Sequence, residues 1–418
     1  MNRLLLRKVL GVVVAVALSI GTTMPAQAAE QVTVKIWLLT ENDASKAAYA
    51  QIKTSFEAAN ADIKIEFSHR STDEHKTSMR NVAGTSAGPD LYFMWAGLGL
   101  GGEFVNSGVS QDLTKYYKQY NWSTRFNKSL LSHITQYGGF HGVPWTQRTE
   151  AIYYNKAAFK KAGITTLPKT YAQLLAANEK LVKAKITPMA FGGTVNWHLM
   201  RLLDNLIELK CGAKVANDLT SLKADWATTP CVTRAFTDLK LWTSKYINKS
   251  LMSVNNDAAD TLFTTGKSAM QLEGDWYTGN IANFKLDSND YGVFPFPTGT
   301  PRIYGFAEAI YMNVSSTHKD EAAKVLDYIS SEAGQKILNP VMGGFSVNKS
   351  VKQTSVNNLD TDWIAINAAK TGVFINYDQA FPLAVTTEYW RIQNLVAIGT
   401  MKPSAAGKAM QSFITSNK

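Results

Sequence analysis

The stretch Val32-Thr33-Val34-Lys35-Ile36-Trp37-Leu38-Leu39 decides the fold. Its apolar residues recur with the period of two expected of a strand. Outward from it the pattern changes. Asn42 or Asp43 stands where a helix cap is wanted, and Tyr49, Ile52 and Phe56 then form an apolar stripe at helical spacing. Ile63-Lys64-Ile65-Glu66-Phe67 alternates again. A helix follows over about 73–82, and Asp90-Leu91-Tyr92-Phe93-Met94-Trp95 reads as a third strand. Strand–helix alternation of this kind predicts an α/β fold with largely parallel sheets. Further along, Gly142-Val143-Pro144-Trp145 leads into an extended segment. Thr170 and Gln173 have capping-box spacing ahead of a helix to about Ala184. Residues 197–285 read mainly as helix, and Phe294-Pro295-Phe296-Pro297 is extended. Arg302 to Asn313 is a strand, Thr317 and Asp320 can cap a helix to about Leu338, and Pro403 opens a last helix to about Ile414.

The first 28 residues have the make-up of an export signal. Arg3, Arg7 and Lys8 precede an apolar run from Val9 to Ile20, too short to span a bilayer, and Ala26-Gln27-Ala28 offers a cleavage site before Ala29. No cysteine follows that site to take a lipid, so the expected location is the periplasm, free of a lipid anchor. The remaining chain, about 390 residues, exceeds one ordinary core and predicts two domains. Of the formal charge of +10, those three basic residues supply three, leaving +7. The other basic residues are scattered, which argues against a nucleic-acid surface. Cys211 and Cys231 are the two cysteines. In an oxidising compartment they are expected to bridge, worth about 3 kcal/mol in the chain-entropy description. The six histidines show no HExxH spacing, and the chain calls for no metal and no cofactor.

Two motif matches fail on context. Gly84-Thr85-Ser86-Ala87-Gly88 fits a nucleophile elbow in letters, yet a helix precedes it and a strand follows, the reverse of the required order. Gly97-Leu98-Gly99-Leu100-Gly101-Gly102 fits a dinucleotide fingerprint, but the position where an acidic residue should meet the ribose holds Asn121-Trp122. It reads instead as a glycine-rich helix start.

In open α/β sheets ligands lie beyond the carboxyl ends of strands. The residues there are tryptophans and planar polar groups, which suit the C–H faces and hydroxyls of a pyranose. Trp145, Trp276 and Trp390 are the foremost stacking candidates, followed by Trp95 and Trp197. Glu41, Asp275 and Glu308 are candidate hydroxyl acceptors, and Arg70 and Arg148 candidate donors, which with the basic balance leave room for a uronic acid. Trp122, Trp226, Trp242 and Trp363 fall in helical or irregular segments and read as structural; Trp37, inside a strand, reads as core.

Several stretches carry a family resemblance. They are Phe56 to Ile65, Gly88-Pro89-Asp90-Leu91-Tyr92, Gly138 to Gly163 with His141-Gly142-Val143-Pro144 and Tyr153-Tyr154-Asn155-Lys156, Phe263 to Met270 followed by Gly274-Asp275-Trp276, and a helix with Ala322-Ala323 and Gln335. In this order the chain resembles the extracellular solute-binding protein family 1, the maltose-type sugar receptors of ABC importers. Gly344-Phe345-Ser346-Val347 departs from the pattern, since many members place a proline after the glycines. The resemblance implies a class II periplasmic-binding-protein fold, two α/β lobes joined by a hinge of about three crossings. It implies a first lobe of 29–142 plus 300–342 and a second of 143–299 plus 343–418, with hinges near 142–145, 297–302 and 340–345. It also implies a di- or oligosaccharide held between the lobes of a monomer by hinge closure, delivery to the permease subunits of an ABC importer, and no catalysis. A secreted carbohydrate-active enzyme, or the same fold with a metal, phosphate ester or polyamine as cargo, are the rival readings.

Overall fold

A computed structural model describes residues 31–40, 43–342 and 346–417. The expected export signal and Glu41 lie outside the described residues, as does part of the hinge expected at 340–345. The strands are β1 (Val32–Leu39), β2 (Ile63–Arg70), β3 (Leu91–Trp95), β4 (Val143–Asn155), β5 (Thr187–Ala190), β6 (Ser268–Gly274), β7 (Tyr291–Phe294), β8 (Arg302–Met312) and β9 (Gly372–Ile375).

The alternation in β1 does what the sequence requires. Val34, Ile36 and Leu38 are buried, while Thr33 and Lys35 face outward. Tyr49, Ile52 and Phe56 of the helix Asp43–Ala59 cover them. The Thr170–Gln173 capping box closes reciprocally at the start of the helix Tyr171–Lys183. Pro403 begins the last helix, Pro403–Ser416. Residues 197–285 are mainly helical, as expected, with β6 set among the helices. Ala269-Met270-Gln271-Leu272 has helix-forming residues, but all seven positions of β6 are buried between β4 and β5, and burial overrides local propensity there.

The strands join in the order β2-β1-β3-β8-β4-β6-β5, with β7 on β4 and β9 on β8. β1 pairs in parallel with β2 and β3, as do β5 with β6 and β8 with β9. The long strands β4 and β8 run antiparallel to each other and to β6 and β3. They pass through both halves of the molecule. Val143 and Trp145 at the start of β4, and Ala307 to Met312 at the end of β8, pack in a first core with β1, β2 and β3. Ile152 of β4 packs in a second, larger core with the helices of 171–245 and 377–414. Ala151, Tyr153 and Ile303 belong to a smaller cluster with Tyr277 and Trp363. The fold is thus a two-lobed α/β structure whose lobes share two crossing strands. On β4 the change from one core to the other falls between Trp145 and Ala151, and on β8 between Ile303 and Ala307. Val347 packs in the first core, and Lys349 N–H donates to Arg125 O at 2.9 Å, so the chain stays with that core past the expected crossover at 342/343.

Cys211 and Cys231 are bonded, with 5.2 Å between their Cα atoms. Among the described residues no helix is long and apolar enough to cross a membrane.

Candidate functional site

A cavity of about 460 Å³ lies between the two cores. Its floor is built where β3, β8 and β4 meet. Register places Trp95 of β3 opposite Glu308 of β8, and Glu308 opposite Thr146 of β4. Arg148, two residues further along β4, shares a face with Thr146. Its Nε donates to Glu308 Oε2 at 3.1 Å, and its Nη1 lies 3.4 Å from Asp275 Oδ1. Thr146 Oγ1 also donates to Glu308 Oε2. Asp275, just past β6, accepts from Thr149 N at 3.1 Å. Burial pushes its carboxyl up to about 8 against the pull of Arg148.

One wall comes from the helix Asn196–Thr220. Trp197 and Arg201 are four residues apart and so share a face. The Arg201 guanidinium lies 4.7 Å from the Trp197 ring and 5.3 Å from the Trp276 ring, within cation–π range. Its Nε pairs with Glu150 and its Nη1 with Glu273, each at 2.7 Å. His198 completes this cluster. Gly192 N–H donates to its Nδ1 at 2.9 Å, so the neutral ring carries its proton on Nε2, which faces Glu273 Oε1 at 3.3 Å. Burial, with the nearby Arg201 charge, holds His198 well below its usual range, which keeps it neutral. Burial raises Glu273, and it raises Glu150 to about 7, with Arg201 opposing both.

Trp276 owes its position to a glycine. A Cβ on Gly274 would stand 1.9 Å from a carbon of the Trp276 ring, so only glycine lets the indole fold back over the end of β6. Phe306 meets the same ring at 5.6 Å. The cavity is also lined by Lys76, whose ammonium lies 4.8 Å from the Trp95 ring, and by Asn376, Asp378 and Gln379 at the one-turn helix Tyr377–Ala380 that follows β9. Burial lowers Lys76, and the charge of Asp378 works against that.

Of the residues expected to bind, Trp95, Arg148, Trp197, Trp276 and Glu308 line this cavity together. Asp275 stands behind Arg148, fully buried, and orients it. Two expectations are corrected. Trp145 is in the first core, its ring 6.2 Å from that of Tyr49. The register of β4 against β8 shifts between Pro144 and Thr146, and the cleft face passes to Thr146 and Arg148. Arg70 lies over the Trp37 ring, 3.5 Å from its centroid, outside the cavity. Trp390 lines a neighbouring cavity of about 440 Å³, which shares Lys76, Leu100, Trp197 and Asp378 with the first. Its indole N–H points to Met200 Sδ at 3.1 Å.

Sequence reasoning missed Lys76, Arg201, Glu273, Asp260 and Asp378. Arg201 was within reach, one helical turn after Trp197. Asp378 follows a strand, β9, too short to announce itself.

The rejected motifs also resolve. Gly84 to Gly88 is a turn with Ser86 exposed. Gly101 begins the short helix Gly101–Asn106. Gly97 is needed for a close approach, since a Cβ there would come within 2.6 Å of the Gln379 backbone. Leu98 N–H donates to Gln379 O at 2.7 Å, joining the glycine-rich segment after β3 to the turn after β9.

Two lobes, two crossing strands and a polar–aromatic cavity between the cores define a binding-protein architecture. The chain belongs to the bacterial extracellular solute-binding protein family, whose model matches residues 39–336. It is 26% identical over 323 residues to a probable sugar-binding periplasmic protein of Mesorhizobium japonicum, covering 72% of this chain and 74% of that one. Among solved structures it is similar to a chitin oligosaccharide binding protein, with a TM-score of 0.81, 20% identity and coverage of 92% of this chain and 98% of that one. It is also similar to a protein from a study of xylan utilization by Caldanaerobius polysaccharolyticus, with a TM-score of 0.82, 21% identity and coverage of 91% and 99%.

Proposed function

We propose that this protein is a periplasmic receptor, free of a lipid anchor, that captures a di- or oligosaccharide by hinge closure and delivers it to the permease of an ABC importer. The cavity carries the reading. Three indole faces, Trp95, Trp197 and Trp276, stand around planar polar groups already fixed by ion pairs. Pyranose C–H faces stack on the first, and sugar hydroxyls bridge the second. We place the hinge on β4 within 146–150 and on β8 within 304–306, where those strands change cores. A ligand touching both lobes stabilises the closed state by its differential contacts.

The receptor acts as a monomer without cofactor or nucleic acid, and it leaves the glycan unchanged. The relatives named for sugar binding support this reading over a metal, phosphate or polyamine cargo. A thermal-shift screen of oligosaccharides tests it. A bound glycan at 100 times its dissociation constant adds about 2.7 kcal/mol and raises the melting temperature. A panel without any shift, or release of shortened product from a bound glycan, contradicts the reading.

A further inference from the structure

By formal charge the lining of the cavity is acidic, opposite in sign to the protein. The chain carries a formal +10. The cavity is lined by Asp257, Asp260, Glu273, Glu308 and Asp378 against Lys76, Arg148 and Arg201. The two arginines are also the groups a sugar carboxylate would seek first, because their planar fork matches a carboxylate. Each already stands between two protein carboxylates: Arg148 between Glu308 and Asp275, and Arg201 between Glu150 and Glu273. Lys76 sits over Trp95 with Asp378 as an opposing charge. An incoming anion would have to displace a buried carboxylate to reach a guanidinium.

A second, independent feature points the same way. The turn after β9 presents acceptors in need of donors. Asn376, Asp378 and Gln379 line the cavity and are at most 7% exposed. Asn376 Oδ1, Asp378 Oδ1 and Gln379 Oε1 have no hydrogen-bond partner among the described residues. The orientation of Asn376 is fixed, because its Nδ2 donates to Glu150 Oε1 at 2.8 Å. Buried acceptors without partners are unfavourable until a donor arrives. Hydroxyl and amine hydrogens are donors; carboxylate and phosphate oxygens are further acceptors. The backbone of this turn is anchored, since Asn376 N–H donates to Gly305 O of β8 at 3.3 Å and Gln379 O accepts from Leu98 N–H.

We propose that the cleft selects glycans that carry no acidic group, neutral or amine-bearing pyranose oligomers, and that Asp378 is the specificity-determining residue that rejects uronates. The inference rests on the carbohydrate reading and narrows its substrate class. The uronic-acid option raised by Arg70 and Arg148 loses both supports, one to Trp37 and the other to Glu308 and Asp275.

The test is titration calorimetry with charge-matched glycans. The panel holds β-1,4-linked glucose, xylose, N-acetylglucosamine and glucosamine oligomers, galactan oligomers beside oligogalacturonates, and xylo-oligomers with and without glucuronic acid branches. The expected tightest ligand is a non-acidic glycan, and its acidic counterpart binds about 100-fold more weakly or worse, since facing like charges cost several kcal/mol. Asp378→Asn keeps the size and one acceptor oxygen and removes the charge, so it should narrow that gap about 10-fold. An acidic glycan as the tightest ligand overturns the inference and leaves the carbohydrate reading standing. A folded Asp378→Asn with an unchanged gap overturns the role of Asp378. If that variant does not fold, the wild-type ratio still decides the charge preference. Failure of every glycan to bind overturns the carbohydrate reading itself.

Discussion

The tryptophans fall into two groups that differ in burial and in what meets the ring. Trp122, Trp226, Trp242 and Trp363 are at most 3% exposed, and each donates inside a packed cluster: to Asp327 Oδ1 at 2.9 Å, Leu219 O at 3.2 Å, Tyr171 Oη at 2.9 Å and Tyr153 Oη at 2.8 Å. The cleft tryptophans are partly buried and are met by cations: Lys76 at Trp95, and Arg201 at Trp197 and Trp276. Trp197 Nε1 has no partner among the described residues. A satisfied indole in a core holds the fold. An indole with one face toward a cavity is arranged for something that arrives later.

The contrast breaks most visibly in stability. Trp122→Ala opens a large cavity in the first core and should destabilise by about 3–5 kcal/mol. Trp145→Ala belongs with it, despite its place among the sequence candidates. Denaturant melts should show a loss in both variants, and calorimetry on the remaining folded protein should show unchanged glycan affinity. Loss of binding by Trp145→Ala without loss of stability would return Trp145 to the site.

Gly274→Ala sharpens the contrast from the other side. The added methyl drives the Trp276 ring off the end of β6, with an overpacking penalty of about 1–3 kcal/mol. Affinity should fall about 10-fold as that stacking face moves. A variant that binds like the wild type would show that Trp276 holds no ligand in this pose.

The smallest effect is one of pH. Asp260 lines the cavity and accepts from the neutral Gln271 Nε2, and burial pushes its carboxyl up to about 7. A folded pKa above the ordinary 3.8 means that the folded chain keeps this proton longer than the unfolded chain. The resulting stability is complete below about 4 and is lost as pH rises through about 7. His75, driven down to about 4 by burial, acts in the opposite sense between 4 and 6.5 and is constant above that. Between about pH 6.5 and 8, Asp260 should therefore lower stability by about 1 kcal/mol or less, visible as a falling melting temperature. Asp260→Asn should flatten part of that fall; an equal slope in both proteins would assign it elsewhere.

The frame of the fold was legible because period-two alternation and helical stripes are local. β1, β2 and β3 with their helices needed no tertiary information. The strand-end rule pointed to Trp95 and Trp276, which line the cavity at the ends of β3 and β6, whereas Glu308 lines it from the middle of β8. It failed where the strand itself was misread. Trp145 stands near the entry of β4, at a register shift, and not at a carboxyl end. β9 has four residues and depends on pairing with β8, so the turn carrying Asp378 had no local signal. Arg201 and Glu273 belong to a buried charge cluster assembled from β4, β6 and one helix, a juxtaposition that only the folded chain creates.

The central claim is that a glycan stacks on the cleft tryptophans, Trp276 foremost. Titration calorimetry of the wild type and Trp276→Ala, with the glycan that most raises the melting temperature, tests it directly. Removal of a central aromatic anchor should weaken binding by about 2 kcal/mol or more, roughly 30-fold, while the melting temperature of the free protein stays within a few degrees. Equal affinity in the two proteins would contradict the claim.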